Sequence, residues 1–182
     1  MAKTEITAIR GKDKFLLFRL LSDAQEKKAA KLALQTVHEW KYKRDSNSKP
    51  SKDGAVNATG GLIVELEIEA IASNDPVNNM LFESVLMDEK LEVWEVNMAS
   101  YKEDSDDYEM KYARGNLNEW SDPNDVEDLA EISTTMSIDG HPVKGRAKLT
   151  DEQKAIIESL YGFRKPGEVV TAEDGEIPSA GA

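Results

Sequence analysis

Three carboxylates stand at every second position in the middle of the chain, Glu65, Glu67 and Glu69. Like charges about two residues apart repel one another, which a folded protein accepts where water screens them or where the repulsion serves a purpose. A second acidic run, Glu103, Asp104, Asp106, Asp107 and Glu109, has the clustered oxygens that a hard cation wants. It lacks the turn glycine and distal bidentate glutamate of a calcium loop, so a solvated loop is the expectation. The two histidines, His38 and His141, stand apart, and there is no Gly-x-Ser-x-Gly, no phosphate-cradling glycine loop and no paired-histidine spacing. No nucleophile, base and orienter can be assembled, so we expect no catalytic residues, no cofactor, no metal and no enzyme. Trp40, Trp94 and Trp120 could stack on sugars, or pack in a core or an interface.

The elements that would carry these groups follow from composition and period. The 182 residues are 40% hydrophobic and 32% charged, with a net charge of −12 and no cysteine. That is enough chain for one domain with a real core, excludes disulfides and thiolate zinc sites, and argues against wrapping a phosphate backbone. We expect no signal peptide and no membrane-spanning segment, hence folding in a reducing cytoplasm.

Around the glutamates, residues 60–72 alternate, with Leu62, Val64, Leu66, Ile68 and Ala70 on one side and the carboxylates on the other. This is the period of a strand. Residues 31–44 alternate likewise and should pair with it. Between them residues 45–59 carry no apolar pattern and are expected to form a long hairpin loop bearing Lys49, Lys52 and Asp53. Residues 14–21 are apolar on both faces, as in a strand covered from both sides. Further strands are expected at 91–98, 110–120 and 129–139, and the Asp139-Gly140 turn should return 143–149 as an edge strand. Residues 4–10 read as a strand or an arm. Asp75-Pro76 opens the one long helix, and Thr150 with Gln153 forms a capping box for a short C-terminal helix. The expected fold is mainly β: an antiparallel β-sandwich of about seven strands with one flanking helix, spanning residues 1–161, followed by a flexible tail at 162–182.

Across residues 3–160 the order of features resembles the major tail protein, or tail-tube protein, of long-tailed, non-contractile bacteriophages of Gram-positive hosts. The resembling segments are Lys31-Leu-Ala-Leu-Gln-Thr-Val-His-Glu-Trp40, Lys52-Asp-Gly with Gly60-Gly61, Glu69-Ala-Ile-Ala-Ser-Asn-Asp75 and Met80-Leu-Phe82. They continue with Leu91-Glu-Val-Trp-Glu95, Tyr112-Ala-Arg-Gly115 with Trp120, and Ile132-Ser-Thr134. The resemblance implies a virion subunit, made in the host cytoplasm, that forms sixfold rings stacked into a hollow tube for DNA ejection. Its partners would be copies of itself, the tape measure, tail terminator and tail-tip or baseplate proteins, and genomic DNA passing without specific binding.

On that footing Glu65, Glu67 and Glu69 are expected to face the channel, and Lys49, Lys52 and Asp53 to reach the next ring. Two other classes remain open on the residues: an acidic DNA mimic that occupies a nucleic-acid-binding enzyme, and a carbohydrate- or calcium-binding sandwich.

Overall fold

The computed structural model describes residues 8–124 and 128–161. The chain clusters into two units, 1–149 and 150–182. The first holds strands β1 (Lys14–Leu20), β2 (Ala30–Lys31), β3 (Gln35–Ser51), β4 (Gly54–Ile71), β5 (Leu91–Lys102), β6 (Asp107–Ser121), β7 (Glu131–Ile138) and β8 (Val143–Ala147), with helix α1 (Pro76–Met87). The second holds helix α2 (Asp151–Tyr161). There the capping box closes as expected: the Thr150 amide donates to Gln153 Oε1 at 2.9 Å and the Gln153 amide to Thr150 Oγ1 at 3.2 Å.

All eight strands belong to one antiparallel sheet, ordered β2-β1-β5-β6-β7-β4-β3, with β8 also paired to β6. A flat sheet would hold its first and last strands about 29 Å apart, at roughly 4.8 Å per strand. Yet β2 and β3, at opposite ends of that order, are joined by only Leu32, Ala33 and Leu34, a link that spans at most about 14 Å. The sheet is therefore rolled until its edges approach, and its walls face one another across the core as the two layers of a sandwich do. The link is pinned to both edges: the Leu32 amide donates to the Leu16 carbonyl and the Ile71 amide to the Leu34 carbonyl.

The rolled sheet encloses Leu16, Phe18, Leu66, Ile68, Val93 and Met136, with Val77 and Leu81 of α1 in the same cluster. Each fully buried side chain of this size contributes on the order of 2 kcal/mol. Asp75 holds helix and link together, since one carboxylate oxygen caps the Val77 amide at 3.2 Å and the other accepts from the Ala33 amide at 2.9 Å. Phe15, Leu17 and Val96, on the opposite face of β1 and β5, are buried as well, in keeping with the two-sided apolar pattern of residues 14–21. At Gly115 strand β6 exchanges one partner for another, pairing with β5 before it and β7 after it. A Cβ there would lie 1.9 Å from the Ser137 carbonyl oxygen, so only glycine lets the strands approach.

Two expectations require correction. Residues 45–59 are not an irregular loop: β3 and β4 stay paired out to Ser51 and Gly54, past a one-residue register shift between Arg44 and Ser46, and Lys52-Asp53 make a two-residue turn with Gly54 at φ +126°. Nor does Asp139-Gly140 send the chain back along β7. Residues 139–142 form an excursion after which β8 continues beside β6, Ile138 pairing with Gly115 and Val143 with Tyr112. Three steps along β6 are matched by five along its partner, so the turn residues absorb a bulge instead of closing a hairpin. Of the expected N-terminal strand or arm, residues 8–10 lie outside any strand and the rest, like the tail at 162–182, falls outside the described residues.

Candidate functional site

The three glutamates lie on the face of β4 turned away from the core, while Val64, Leu66, Ile68 and Ala70 fill the interior. The register sets Glu65 between Lys41 and Ser137, Glu67 between Glu39 and Thr135, and Glu69 between Val37 and Ser133. Strands β3, β4 and β7 and the second half of β6 thus form one polar wall. Thr135 Oγ1 donates to Glu119 across it at 2.8 Å.

The repulsion along β4 is partly relieved by lysines at matching positions of β3. Lys41 Nζ donates to Glu67 Oε1 and lies 3.9 Å from Glu39, and Lys43 Nζ lies 3.3 Å from Glu65. The hydrogen bond to Glu67, and then the surrounding carboxylate charges, hold the Lys41 ammonium above its ordinary range. Among the described residues Glu69 has no ion-pair partner. The sequence carries the signal for these pairs, because Lys41 and Lys43 alternate with Trp40 and Tyr42 as the glutamates alternate with Leu66 and Val64.

Lys49, Lys52 and Asp53 ride on the outer half of the β3–β4 hairpin. Strand β7 pairs with β4 only from Glu65 onward, so, among the described residues, 54–64 have β3 as their sole partner strand, over about 35 Å at roughly 3.3 Å per residue. Every side chain from Tyr42 to Ala55 is exposed, and Lys49 and Lys52 have no ion-pair partner among the described residues. A bare two-stranded ribbon of that length is marginal alone, and its open edges offer unpaired amides and carbonyls.

Inside the roll, sequence inspection missed a polar network. The Leu16 amide donates to Gln35 Oε1 at 3.1 Å, which orients the side-chain amide so that Gln35 Nε2 donates to His38 Nδ1 at 2.7 Å. His38 then donates from Nε2 to Glu95 Oε2 at 2.9 Å, and Trp40 Nε1 donates to the same oxygen at 2.7 Å. Lys14 and Lys111 sit 3.3 and 3.4 Å from the other carboxylate oxygen. Burial pushes the Glu95 carboxyl up, but the hydrogen bonds from His38 and Trp40 and the two lysine charges outweigh it and bring its pKa down to about 2. This one side chain ties β1, β3, β5 and β6 together. Its only trace in the sequence is a glutamate whose partners lie as far as 81 residues away.

The other candidates for chemistry are engaged within the protein. Trp40 lies under Lys111 Nζ, Trp94 packs on Tyr112 and Arg19, and Trp120 packs on Phe82. The acidic run belongs to the β5–β6 turn, where Tyr101 stacks on Tyr108 and Asp107 binds Arg146 at 2.6 Å. Among the described residues no three metal-ligating side chains converge, and no helix is long and apolar enough to cross a membrane.

A family model described as phage tail tube protein matches residues 8–144. No curated protein matches the chain by sequence. The fold resembles the SPP1 tail tube, with a TM-score of 0.68 and 17% identity over 94% of this chain and 100% of that one. It also resembles a chain in the tail of an empty GTA particle refined with C6 symmetry, with a TM-score of 0.59 and 10% identity over 76% and 99% of the two chains. A third similar chain is in the sheath/tube terminator of an extracellular contractile injection system, with a TM-score of 0.52 and 8% identity over 78% and 99%.

Proposed function

Because the chain belongs to the phage tail tube protein family, we propose that it is a structural, non-catalytic virion subunit whose six-membered rings stack into the tail tube through which DNA is ejected. The observation that carries this reading is the projecting end of the β3–β4 hairpin, whose side chains from Tyr42 to Ala55 are exposed and which has no third strand at either edge among the described residues. Such a ribbon is stabilised by a second copy laid against it, and its lysines suit the acidic surface of a chain with net charge −12.

The polar wall of β3, β4, β7 and β6 then closes with its neighbours into the lining of the channel, which removes the open edges. Glu65, Glu67 and Glu69 face the bore. Duplex DNA carries one charge per roughly 1.7 Å of axis, so a basic wall would hold it, whereas carboxylates repel it over a screening length of about 8–10 Å. The lysine pairs temper that field without reversing it, because Glu39, Glu69 and Glu119 add carboxylates to the same wall. Further partners are the tape measure, tail terminator and tail-tip proteins, and the subunit is made in the host cytoplasm.

Electron microscopy of the concentrated protein, with light scattering on the same sample, tests the assembly. Hollow tubes of stacked rings are expected, and protein that stays monomeric even with tail-tip proteins would overturn it. Replacing all three glutamates by lysine tests the lining. Tubes should still form and ejection should slow by an order of magnitude or more at low salt, since a basic lining retains DNA; unchanged ejection would put the glutamates elsewhere.

A further inference from the structure

At the end of the roll on the hairpin-turn side, the interior opens into a depression of about 500 Å³. Its lining includes Lys14, Lys111, Lys144 and Arg146 against two carboxylates, Glu95 and Glu109. In a chain with 35 acidic and 23 basic side chains, this is a local inversion of sign. It is also incompletely neutralised: Lys14 and Lys111 share one oxygen of Glu95, Arg146 is held by Asp107 and Glu109, and Lys144, exposed at the rim, has no ion-pair partner among the described residues.

The far end of β6 carries acidic side chains. Strand β6 leads from Lys111 in the mouth to Ser121, about 33 Å away. There the connection to β7 presents Asp122 and Asp128, both exposed and without an ion-pair partner among the described residues. Mouth and connection therefore cannot meet within one copy. Two copies related head to tail along the β6 axis would bring them face to face, and such a contact between two different patches continues as an open stack when the operation relating the copies does not close.

We propose that the basic mouth is the acceptor for Asp122 and Asp128 of a second copy in the next ring, an inference that rests on the tube reading and names a contact beyond the hairpin. Charge complementarity carries it: unpaired Lys144 over a doubly shared carboxylate on one side, and two unpaired aspartates on the other. The contact fixes polarity, since two mouths or two connections brought together repel.

The test is reciprocal charge reversal in the full chain, with tube growth followed by light scattering and electron microscopy. Lys144→Glu, and separately Asp122→Lys with Asp128→Lys, should each raise the protein concentration needed for growth about tenfold. Thermal unfolding should stay unchanged because all three side chains are exposed. Combining the reversals should bring that concentration back to within about threefold of the parent. If the parent forms tubes and the reversals do so at the same concentration, or if the combination is no better than the worse half, the inference is overturned and the tube reading stands. If the parent forms no tubes with tail-tip proteins present, both fall together. Lys144→Ala serves as the milder control and should lose less than Lys144→Glu.

Discussion

The β3–β4 hairpin contains two regions that share one ladder and differ in everything else. In its inner half Leu66, Ile68 and Trp40 face the core, β7 pairs along β4, and Glu95 clamps β3 from across the roll. In its outer half the residues are mostly small or polar, the side chains from Tyr42 to Ala55 are exposed, and no third strand pairs among the described residues. The hydrogen-bond pattern is the same, so pairing is not what distinguishes a stable region from an available one. Burial and the buried carboxylate do, which leaves one pair of strands fixed as scaffold at one end and exposed at the other.

The largest expected effect breaks the inner half. Glu95→Ala leaves Lys14, Lys111, His38 and Trp40 without their shared acceptor and should cost roughly 3–5 kcal/mol, read as a fall in the denaturant midpoint. Leu66→Ala, at a side chain with no exposed surface, should cost about 2–5 kcal/mol in the same measurement. Acid sharpens the comparison. The Glu95 carboxyl is held at about 2 against an ordinary 4.5, so its stabilisation is complete above about pH 4.5 and is lost as pH falls toward 2. That loss is on the order of 3 kcal/mol. Acid unfolding of Glu95→Gln should lose most of that dependence. Smallest in stability is the outer half: deleting residues 47–55 should shift unfolding by less than about 1 kcal/mol, yet abolish ring stacking in electron microscopy. Normal tubes from the deletion would show that the hairpin is not the adhesive.

Local chemistry was legible where it decides structure locally. The alternation around Glu65, Glu67 and Glu69, the Asp75-Pro76 helix start and the Thr150–Gln153 box each act within a few residues, and each is found in place. Two Asp-Gly pairs show the limit. Asp53-Gly54 lies at the tip of a true hairpin whose polar composition reads as loop, because the strands there are held together by backbone pairing that continues past a register shift at Arg44/Ser46 and leaves no trace in side-chain pattern. Asp139-Gly140 looks like the same signal, yet the chain runs on along β6, since that strand offers an unused edge beyond Gly115. What a turn does depends on the strand waiting beyond it. The Glu95 network was illegible for the same reason, as its donors come from three other strands.

The way β4 enters the body also sets how the subunit bears mechanical load. Antiparallel hydrogen bonds run perpendicular to the strands, and β4 meets β7 over Glu65 to Ile71 with its axis continuous with the projecting hairpin. A pull along the hairpin loads that ladder in shear, so its bonds resist together. A sideways pull would peel them one pair at a time. Tension between subunits joined through this arm therefore meets the joint in its strong direction, while bending tests its weak one.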